Sequence, residues 1–309
     1  MTIAHIDFES SSIPPALAFA LHDDADYRQW REQKLANYPR DYQDLIVPIS
    51  EINGLTLKEI RAIQDRIRKT NCAIYQLPSG TSISKLHIQQ LGQILGLYQL
   101  DHNLCADEES ISTIRASKGR KNYYIPYTNK TLSWHTDGYY NTLQQRIRAF
   151  ILHCVSPAAS GGENQLLDPE IAYIHLRDQN PEFIEALMDP QAMTIPPNVD
   201  AGEEIRSQTT GPVFSIDPST GQLHMRYTAR LRNIQWKDDS ITQQAAQALS
   251  KVLSCSPYTF NFILQAGQGV ITNNALHNRR EYKDDETRKR TMYRARYYDR
   301  VRIKEFRTN

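Results

Sequence analysis

Two amphipathic helices are predicted in the first third of the chain. The first is predicted to begin after Thr56, which forms a capping-box pattern with Glu59. Its apolar face consists of Leu57, Ile60, Ile63 and Ile67. The second is predicted to begin at Ser82 and to stop at Gly96. Its apolar stripe consists of Ile83, Leu86, Leu91, Ile94 and Leu95. Between the two helices, the apolar run 72–77 predicts a buried strand.

From about residue 111 the pattern changes to short apolar segments separated by Gly, Pro and Asn. The predicted strands are 111–116, 132–137, 148–155, 164–167, 211–216, 222–228, 258–264, 269–272 and 291–298. Helices are predicted at about 169–188 and at 241–253, the second with a capping box from Ser240 and Gln243. Many short strands without regular helix alternation favour a sandwich or barrel-like β-core with flanking helices over a doubly wound sheet.

The 309 residues are predicted to form a single domain. Residues 1–110 are expected to be a mostly helical part that packs on the core. Residues 111–300 are expected to carry the β-core with its helical insertions. Hydrophobic residues make up 40% of the chain and charged residues 23%, as in ordinary globular proteins.

The net charge of +1 provides no field that would attract nucleic acid or an anionic membrane. The four cysteines lie far apart, which fits a reducing cytoplasm. We therefore expect a cytoplasmic protein with a small-molecule partner and without nucleic-acid or membrane partners, and homo-oligomerisation is left open.

His135 and Asp137 form a candidate metal-binding pair. They are two residues apart, so a strand would present both side chains on one face. One imidazole and one carboxylate suit a divalent metal, and a third ligand would complete a facial triad. An H-x-D triplet is common by chance, and an exposed strand end is the alternative. A further alternative makes Asp137 an orienting group and gives the metal to Asp168.

A second polar block surrounds His277. After it come four arginines of equal parity, which a regular strand would point to one face: Arg288, Arg290, Arg294 and Arg296. Burial of these arginines would be costly without anions to meet them. They could bind the distal carboxylate of a dicarboxylic co-substrate. Alternatively, they could lie on a solvated edge or pair with nearby acidic residues.

Four motifs in order resemble the taurine dioxygenase (TauD/TfdA) family of Fe(II)/2-oxoglutarate enzymes. They are W-H-T-D (134–137), P-x-x-x-G-G (157–162), N-N-x-x-H-x-R (273–279) and R-x-M-x-R-A (290–295), within a resemblance over roughly 70–300. The resemblance implies a double-stranded β-helix, or jelly roll, with flanking helices. It also implies Fe(II), 2-oxoglutarate and O2 as cofactor and co-substrates, with His135, Asp137 and His277 as the iron ligands.

The same resemblance assigns further positions. Arg290 matches the arginine that binds the C5 carboxylate of 2-oxoglutarate, and Arg294 matches a position that contacts substrate or the near end of the co-substrate. Asn164 stands where the family usually has a threonine, and its amide could supply that hydrogen bond. The carboxylate at Asp137 implies hydroxylation or desaturation, because halogenating relatives have a small residue there.

The primary substrate is predicted to be a small polar or amino-acid-like metabolite. Tyr124 and Tyr139 are candidates for the pocket wall, as are Tyr123, Tyr127 and Tyr140, and Arg226 is a candidate partner for a substrate anion. For the tyrosines, packing between strands is an equal alternative. A desaturase or cyclase with the same iron centre remains open, as does a catalytically silent β-sandwich binding protein.

Overall fold

The structure is a computed structural model. It describes residues 18–21, 24–101, 110–116, 125–200, 202–218, 220–230 and 234–302. The helices of the described residues are α1 (Asp24–Leu35), α2 (Leu57–Thr70), α3 (Lys85–Ile94), α4 (Pro169–Gln179), α5 (Pro181–Met188) and α6 (Ser240–Cys255). Short 3-10 helices occur at Tyr42–Leu45 and Ile125–Tyr127.

Strands make up most of the remaining regular structure. They are β1 (Ile46–Pro48), β2 (Cys72–Gln76), β3 (Ser112–Ile114), β4 (Leu132–His135), β5 (Ala149–Ser156), β6 (Ser160–Gly161), β7 (Asn164–Leu167), β8 (Met193–Ile195), β9 (Asn198–Asp200), β10 (Glu203–Arg206), β11 (Thr209–Gly211), β12 (Phe214–Ile216), β13 (Leu223–Met225), β14 (Gln235–Trp236), β15 (Phe260–Phe262), β16 (Gln268–Thr272), β17 (Leu276–Arg279), β18 (Tyr282–Lys283) and β19 (Thr291–Tyr297). The prediction of a mainly β fold with flanking helices is confirmed.

Two sheets form the centre of the molecule. The large sheet has the strand order β1-β2-β16-β5-β19-β3, and the small sheet has the order β15-β7-β17-β4. Apolar residues from both sheets share one core, among them Val270 and Met292 of the large sheet and Leu166 and Leu276 of the small one. The sheets therefore face each other, and the ring centroids of Phe150 and His277 lie 4.8 Å apart between them.

The large sheet is buried on both faces. Its outer face, which includes Ile151 and Ile271, forms a second core with residues of α2 and α3 such as Ile67 and Leu91. Burial on both faces explains why the strands read as continuous apolar runs instead of alternating patterns. Since β1 and β2 belong to this sheet, the segment before residue 110 contributes strands as well as helices.

Helix ends agree only partly with the sequence prediction. The capping box of Thr56 and Glu59 is present, and Gly96 lies just past α3 with a φ of 82°. However, α3 is capped by Ser84, and α6 is capped by Asp239, so the predicted starts at Ser82 and Ser240 are wrong. In each case another polar residue, Ser84 or Asp239, occupies the N-cap position.

Asp168 joins the N-terminal helix to the core. Its carboxylate lies 2.6 Å from the Lys34 Nζ of α1, accepts a hydrogen bond from Asn71 Nδ2 at 2.9 Å, and caps α4. Lys34 and Asp168 are both buried, so this is an internal ion pair. Among the described residues, no helix combines the length and apolar character needed to cross a membrane.

Candidate active site

His135 and His277 are brought together by strand pairing. They are opposite residues in the antiparallel pair of β4 and β17. Opposite residues of an antiparallel pair present neighbouring side chains on one face. Asp137 lies just beyond the end of β4, in the turn that contains Gly138. Asp137 therefore lies beside His135 because of the conformation of this turn, and not because of the strand alternation predicted from the H-x-D spacing.

Asn274 holds the backbone of Asp137 in position. Its Oδ1 accepts a hydrogen bond from the Asp137 N–H at 2.8 Å, and its Nδ2 donates to the Asp137 and Ile147 carbonyls at 3.0 and 2.7 Å. Asn274 has a φ of 55°, a conformation that Asn tolerates better than most residues. The sequence pattern alone did not indicate a role for Asn274, although the Asn pair shortly before His277 was the available signal. Gly138 is needed nearby, since a Cβ there would lie 2.4 Å from Ile147 Cγ1.

Both imidazoles present an unprotonated Nε2 to the same point. The Nδ1 atoms of His135 and His277 each lie 2.9 Å from a backbone carbonyl two residues earlier, of Ser133 and Ala275. A carbonyl can only accept, so each Nδ1 carries the proton and each Nε2 has a free lone pair. Hydrogen bonds of this kind commonly orient metal-binding histidines.

The ligand atoms of His135, Asp137 and His277 lie within 4.8 Å of one another. Asp137 Oδ1 is 3.6 Å from His135 Nε2 and 3.9 Å from His277 Nε2. Asp137 Oδ2 is buried and has no hydrogen-bond partner among the described residues. An unpaired buried carboxylate oxygen beside two imidazole lone pairs fits a divalent metal ion.

The local electrostatics keep these groups in the forms that bind metal. Burial lowers the pKa of His277 to about 3, with a further contribution from His135. For Asp137, burial opposes ionisation, but the nearby guanidinium groups of Arg294 and Arg296 outweigh it and hold the pKa well below the usual range. Neutral imidazole and ionised carboxylate are the ligating states.

Three of the four predicted arginines point between the two sheets. Arg294 and Arg296 pair with Leu152 and Phe150 of β5, whose side chains face the inner core or the histidines. Arg294 Nη1 lies 3.3 Å from Asp137 Oδ1. Arg288 differs: it is exposed, precedes β19 and pairs with Asp285, so its predicted place on this face is wrong.

Arg290 is buried, and it forms no ion pair with the described acidic residues. Its Nη1 has no hydrogen bond in the described part of the chain, and burial lowers its pKa. The Tyr282 ring centroid lies 5.3 Å from the guanidinium carbon. Gly162 and Asn164 line a small cavity beside Arg290. The Asn164 amide donates to the Gly162 carbonyl at 3.3 Å. A buried guanidinium with a free Nη1 and no described acidic partner is suited to an anion.

A separate cavity of about 130 Å³ opens at the triad. Its lining includes His135, Asp137, Tyr139, Tyr140, Arg230 and Arg294. The predicted position of Tyr139 at the pocket is thus observed. Tyr124 lies outside the described residues.

Arg226 does not line the cavity, and its predicted role as a substrate-anion partner is wrong. The side chain is 4% exposed. It donates to the carbonyls of Tyr139 at 3.1 Å and Gly211 at 3.0 Å, and also to the Met193 carbonyl. These backbone acceptors satisfy its donors, so Arg226 joins the turn at Tyr139 to strands β8 and β11.

Asp168 takes no part in the histidine cluster. Among the described residues, the metal-competent group consists of His135, Asp137 and His277 alone. Because the Asp168 carboxylate is engaged by Lys34 and Asn71, the alternative that gave the metal to Asp168 is wrong.

Two histidines and one carboxylate beside an open cavity are the metal-binding arrangement of non-haem Fe(II) oxygenases. The chain matches the model of the taurine catabolism dioxygenase TauD, TfdA family over residues 79–296 and belongs to that family. The predicted family and the predicted cofactor and co-substrates are thereby confirmed.

Solved structures share the fold at low sequence identity. An asparagine oxygenase in complex with Fe(II), 3-hydroxyasparagine and succinate superposes with a TM-score of 0.54 and 12% identity, over 82% of this chain and 93% of that one. A taurine dioxygenase from Burkholderia xenovorans superposes with a TM-score of 0.54 and 14% identity, over 81% of this chain and 89% of that one. The predicted jelly-roll fold is confirmed by these likenesses.

Two curated relatives are both named uridine-5'-phosphate dioxygenase. The protein from Amycolatopsis sp is 30% identical over 174 residues, which are 53% of this chain and 60% of that protein. The protein from Streptomyces sp is 27% identical over 199 residues, which are 61% of this chain and 69% of that protein. The first match therefore spans less than two thirds of the relative's length.

Proposed function

We propose that this protein hydroxylates an unactivated C–H bond of a small polar metabolite, with 2-oxoglutarate converted to succinate and CO2. His135, Asp137 and His277 would hold Fe(II). The observation that carries the proposal is the convergence of two Nε2 lone pairs and the Asp137 carboxylate, whose Oδ2 has no partner among the described residues, beside an open cavity. Three protein ligands leave coordination positions open for co-substrates.

The bound iron would supply activation of O2, and the chain would supply binding, orientation and a shielded cavity. Ser133 and Ala275 orient the imidazoles through their carbonyls. Arg294 holds the Asp137 carboxylate ionised and in place.

Arg290 would bind the distal carboxylate of 2-oxoglutarate. Its buried Nη1 lacks a partner among the described residues, and a carboxylate can accept two parallel hydrogen bonds from a guanidinium. Asn164 lines the same small cavity and could direct its amide to the co-substrate. Arg294 lines the cavity at the triad, which suits contact with the near end of the co-substrate or with substrate.

The primary substrate would occupy the cavity that Tyr139 lines. An amino-acid-like metabolite is one candidate. The names of the two curated relatives add a nucleoside 5'-phosphate as a second candidate. Both are small polar compounds, and both can be compared directly in one assay.

The test uses the full chain in the absence and presence of O2. Anaerobic addition of Fe(II) and 2-oxoglutarate should give a weak visible charge-transfer band, and admission of air should give succinate. His277→Ala should lose both signals while its circular dichroism spectrum stays that of the wild type. His87→Gln, at the start of α3 and outside the cluster, is the matched control and should keep both. Undiminished succinate formation by His277→Ala would refute the proposed ligand set.

A further inference from the structure

Arg230 lines the triad cavity and has no acidic partner in the described part of the chain. The cavity is lined by two arginines, and one of them, Arg294, is engaged by Asp137. No carboxylate of the described residues lies within ion-pair distance of Arg230. This guanidinium is therefore a cavity-lining charge that is available to a ligand.

The segment that carries Arg230 is fixed to the strand that carries His135. Thr228 forms a bridge with His135, and the Ala229 N–H donates to the Trp134 carbonyl at 2.7 Å. The Arg230 N–H in turn donates to the Thr228 hydroxyl at 3.3 Å. The backbone of Arg230 is thus tied to the metal-binding strand.

The charges around the cavity leave a positive excess when the proposed cofactor and co-substrate are in place. Fe(II) and the Asp137 carboxylate together carry one positive charge. The two negative charges of 2-oxoglutarate are matched by Arg290 and Arg294. Arg230 adds a second positive charge. The buried Arg279 beside Arg290, whose pKa burial lowers to about 10, increases the excess further.

A phosphate monoester fits this excess better than a single carboxylate does. It carries a charge of about −1.5 to −2 at neutral pH, compared with about −1 for a carboxylate. A guanidinium can also bind two phosphate oxygens at once. Apolar side chains of Ile125, Pro126 and Leu132 line the cavity with Arg230, which suits a substrate with one charged end and a less polar body.

We propose that Arg230 binds the phosphate group of a phosphate-monoester substrate in the triad cavity. Arg230 is then a residue that determines substrate specificity, a role that the sequence analysis gave to Arg226. The inference rests on the proposed function, because the charge balance includes Fe(II) and 2-oxoglutarate.

The test measures binding of paired probes to the protein loaded anaerobically with Fe(II) and 2-oxoglutarate. The pairs are uridine 5'-phosphate against uridine, and O-phosphoserine against aspartate. Equilibrium dialysis should show that at least one phosphate ester binds at least tenfold more tightly than its partner. Arg230→Gln should remove that preference, and Arg230→Lys should restore part of it. Arg288→Gln, which removes an exposed charge that pairs with Asp285, should match the wild type.

The outcomes separate the two proposals. If the wild type shows neither the charge-transfer band nor succinate, the proposed function fails. If it shows both, but no phosphate ester is preferred, the inference about Arg230 is overturned. Equal binding of aspartate and O-phosphoserine, without preference for uridine 5'-phosphate over uridine, also overturns it. A phosphate preference that survives in Arg230→Gln overturns it as well.

Discussion

Asn274 offers a way to weaken the metal site without touching a metal ligand. Its amide makes three hydrogen bonds to buried backbone groups, two of them on Asp137. In Asn274→Gly those groups lose their partners, at about 1–3 kcal/mol for each buried group left unsatisfied. We expect unfolding free energy to fall by about 3 kcal/mol or more. In Asn274→Ala, left-handed backbone strain should add about 1 kcal/mol.

The same substitution should weaken metal binding, because the turn that carries Asp137 loses its anchor. Removal of groups that orient metal ligands typically costs about 10- to 100-fold in metal affinity. That range corresponds to about 1.4–2.7 kcal/mol. The assay is anaerobic Fe(II) titration of Asn274→Gly beside urea denaturation of the metal-free protein.

Asn71 provides the matched control. It is also a buried asparagine with positive φ, at 56°, and its amide also holds an aspartate, Asp168. Asn71→Gly should therefore lose comparable stability but keep the Fe(II) affinity of the wild type. The reasoning is refuted if Asn274→Gly binds Fe(II) as tightly as the wild type, or if Asn71→Gly weakens binding equally.

Three further substitutions test other parts of the site. Arg290→Ala should weaken 2-oxoglutarate binding, measured by the charge-transfer band, at least tenfold, or about 1.4 kcal/mol, with Arg290→Lys intermediate. Weaker binding in Arg288→Ala, with Arg290→Ala unaffected, would contradict the assignment. Mass spectrometry of the product should show no halogenation by the wild-type enzyme in molar chloride and a loss of most oxygenation in Asp137→Gly. Full oxygenation by this variant would exclude Asp137 as a ligand. Asp168→Asn leaves Lys34 with Glu170 as its ionic partner and should lower the denaturation midpoint. The loss of unfolding free energy should stay below the about 3–5 kcal/mol that follows when a buried charge loses its only partner. Fe(II) titration should remain unchanged; loss of Fe(II) binding at an unchanged midpoint would reverse this conclusion.

The sequence predicted correctly those features that depend on residues close to one another in the chain. The capping box at Thr56 and the strand at 164–167 depend on residues within one turn or one strand, and both are found as predicted. The pair His135 and Asp137 was also found from its short spacing, and His277 was added by the resemblance to the family.

The spacing of residues gave wrong side-chain positions near the starts of β19 and α3. Equal parity placed Arg288 with Arg290, but β19 begins only at Thr291 and has a register shift there. The stripe of α3 included Leu86, which is 57% exposed, while Ile88 is buried in its place. In a strand, a shift of one residue in the register moves side chains to the opposite face.

The sequence by itself determined the mainly β class and the candidate pair His135 and Asp137, because each depends on residue type and short spacing. The roles of His277 and Arg290 followed from the resemblance to the family. Only the tertiary structure decided which arginine lines the cavity at the triad. Arg226 and Arg230 lie four residues apart in one segment, yet backbone carbonyls from Tyr139, Gly211 and Met193 surround the first and the cavity receives the second. Those carbonyls come from a turn and two strands that are separate in sequence, and the hydrogen bonds that a buried guanidinium requires exist only once these segments have packed together.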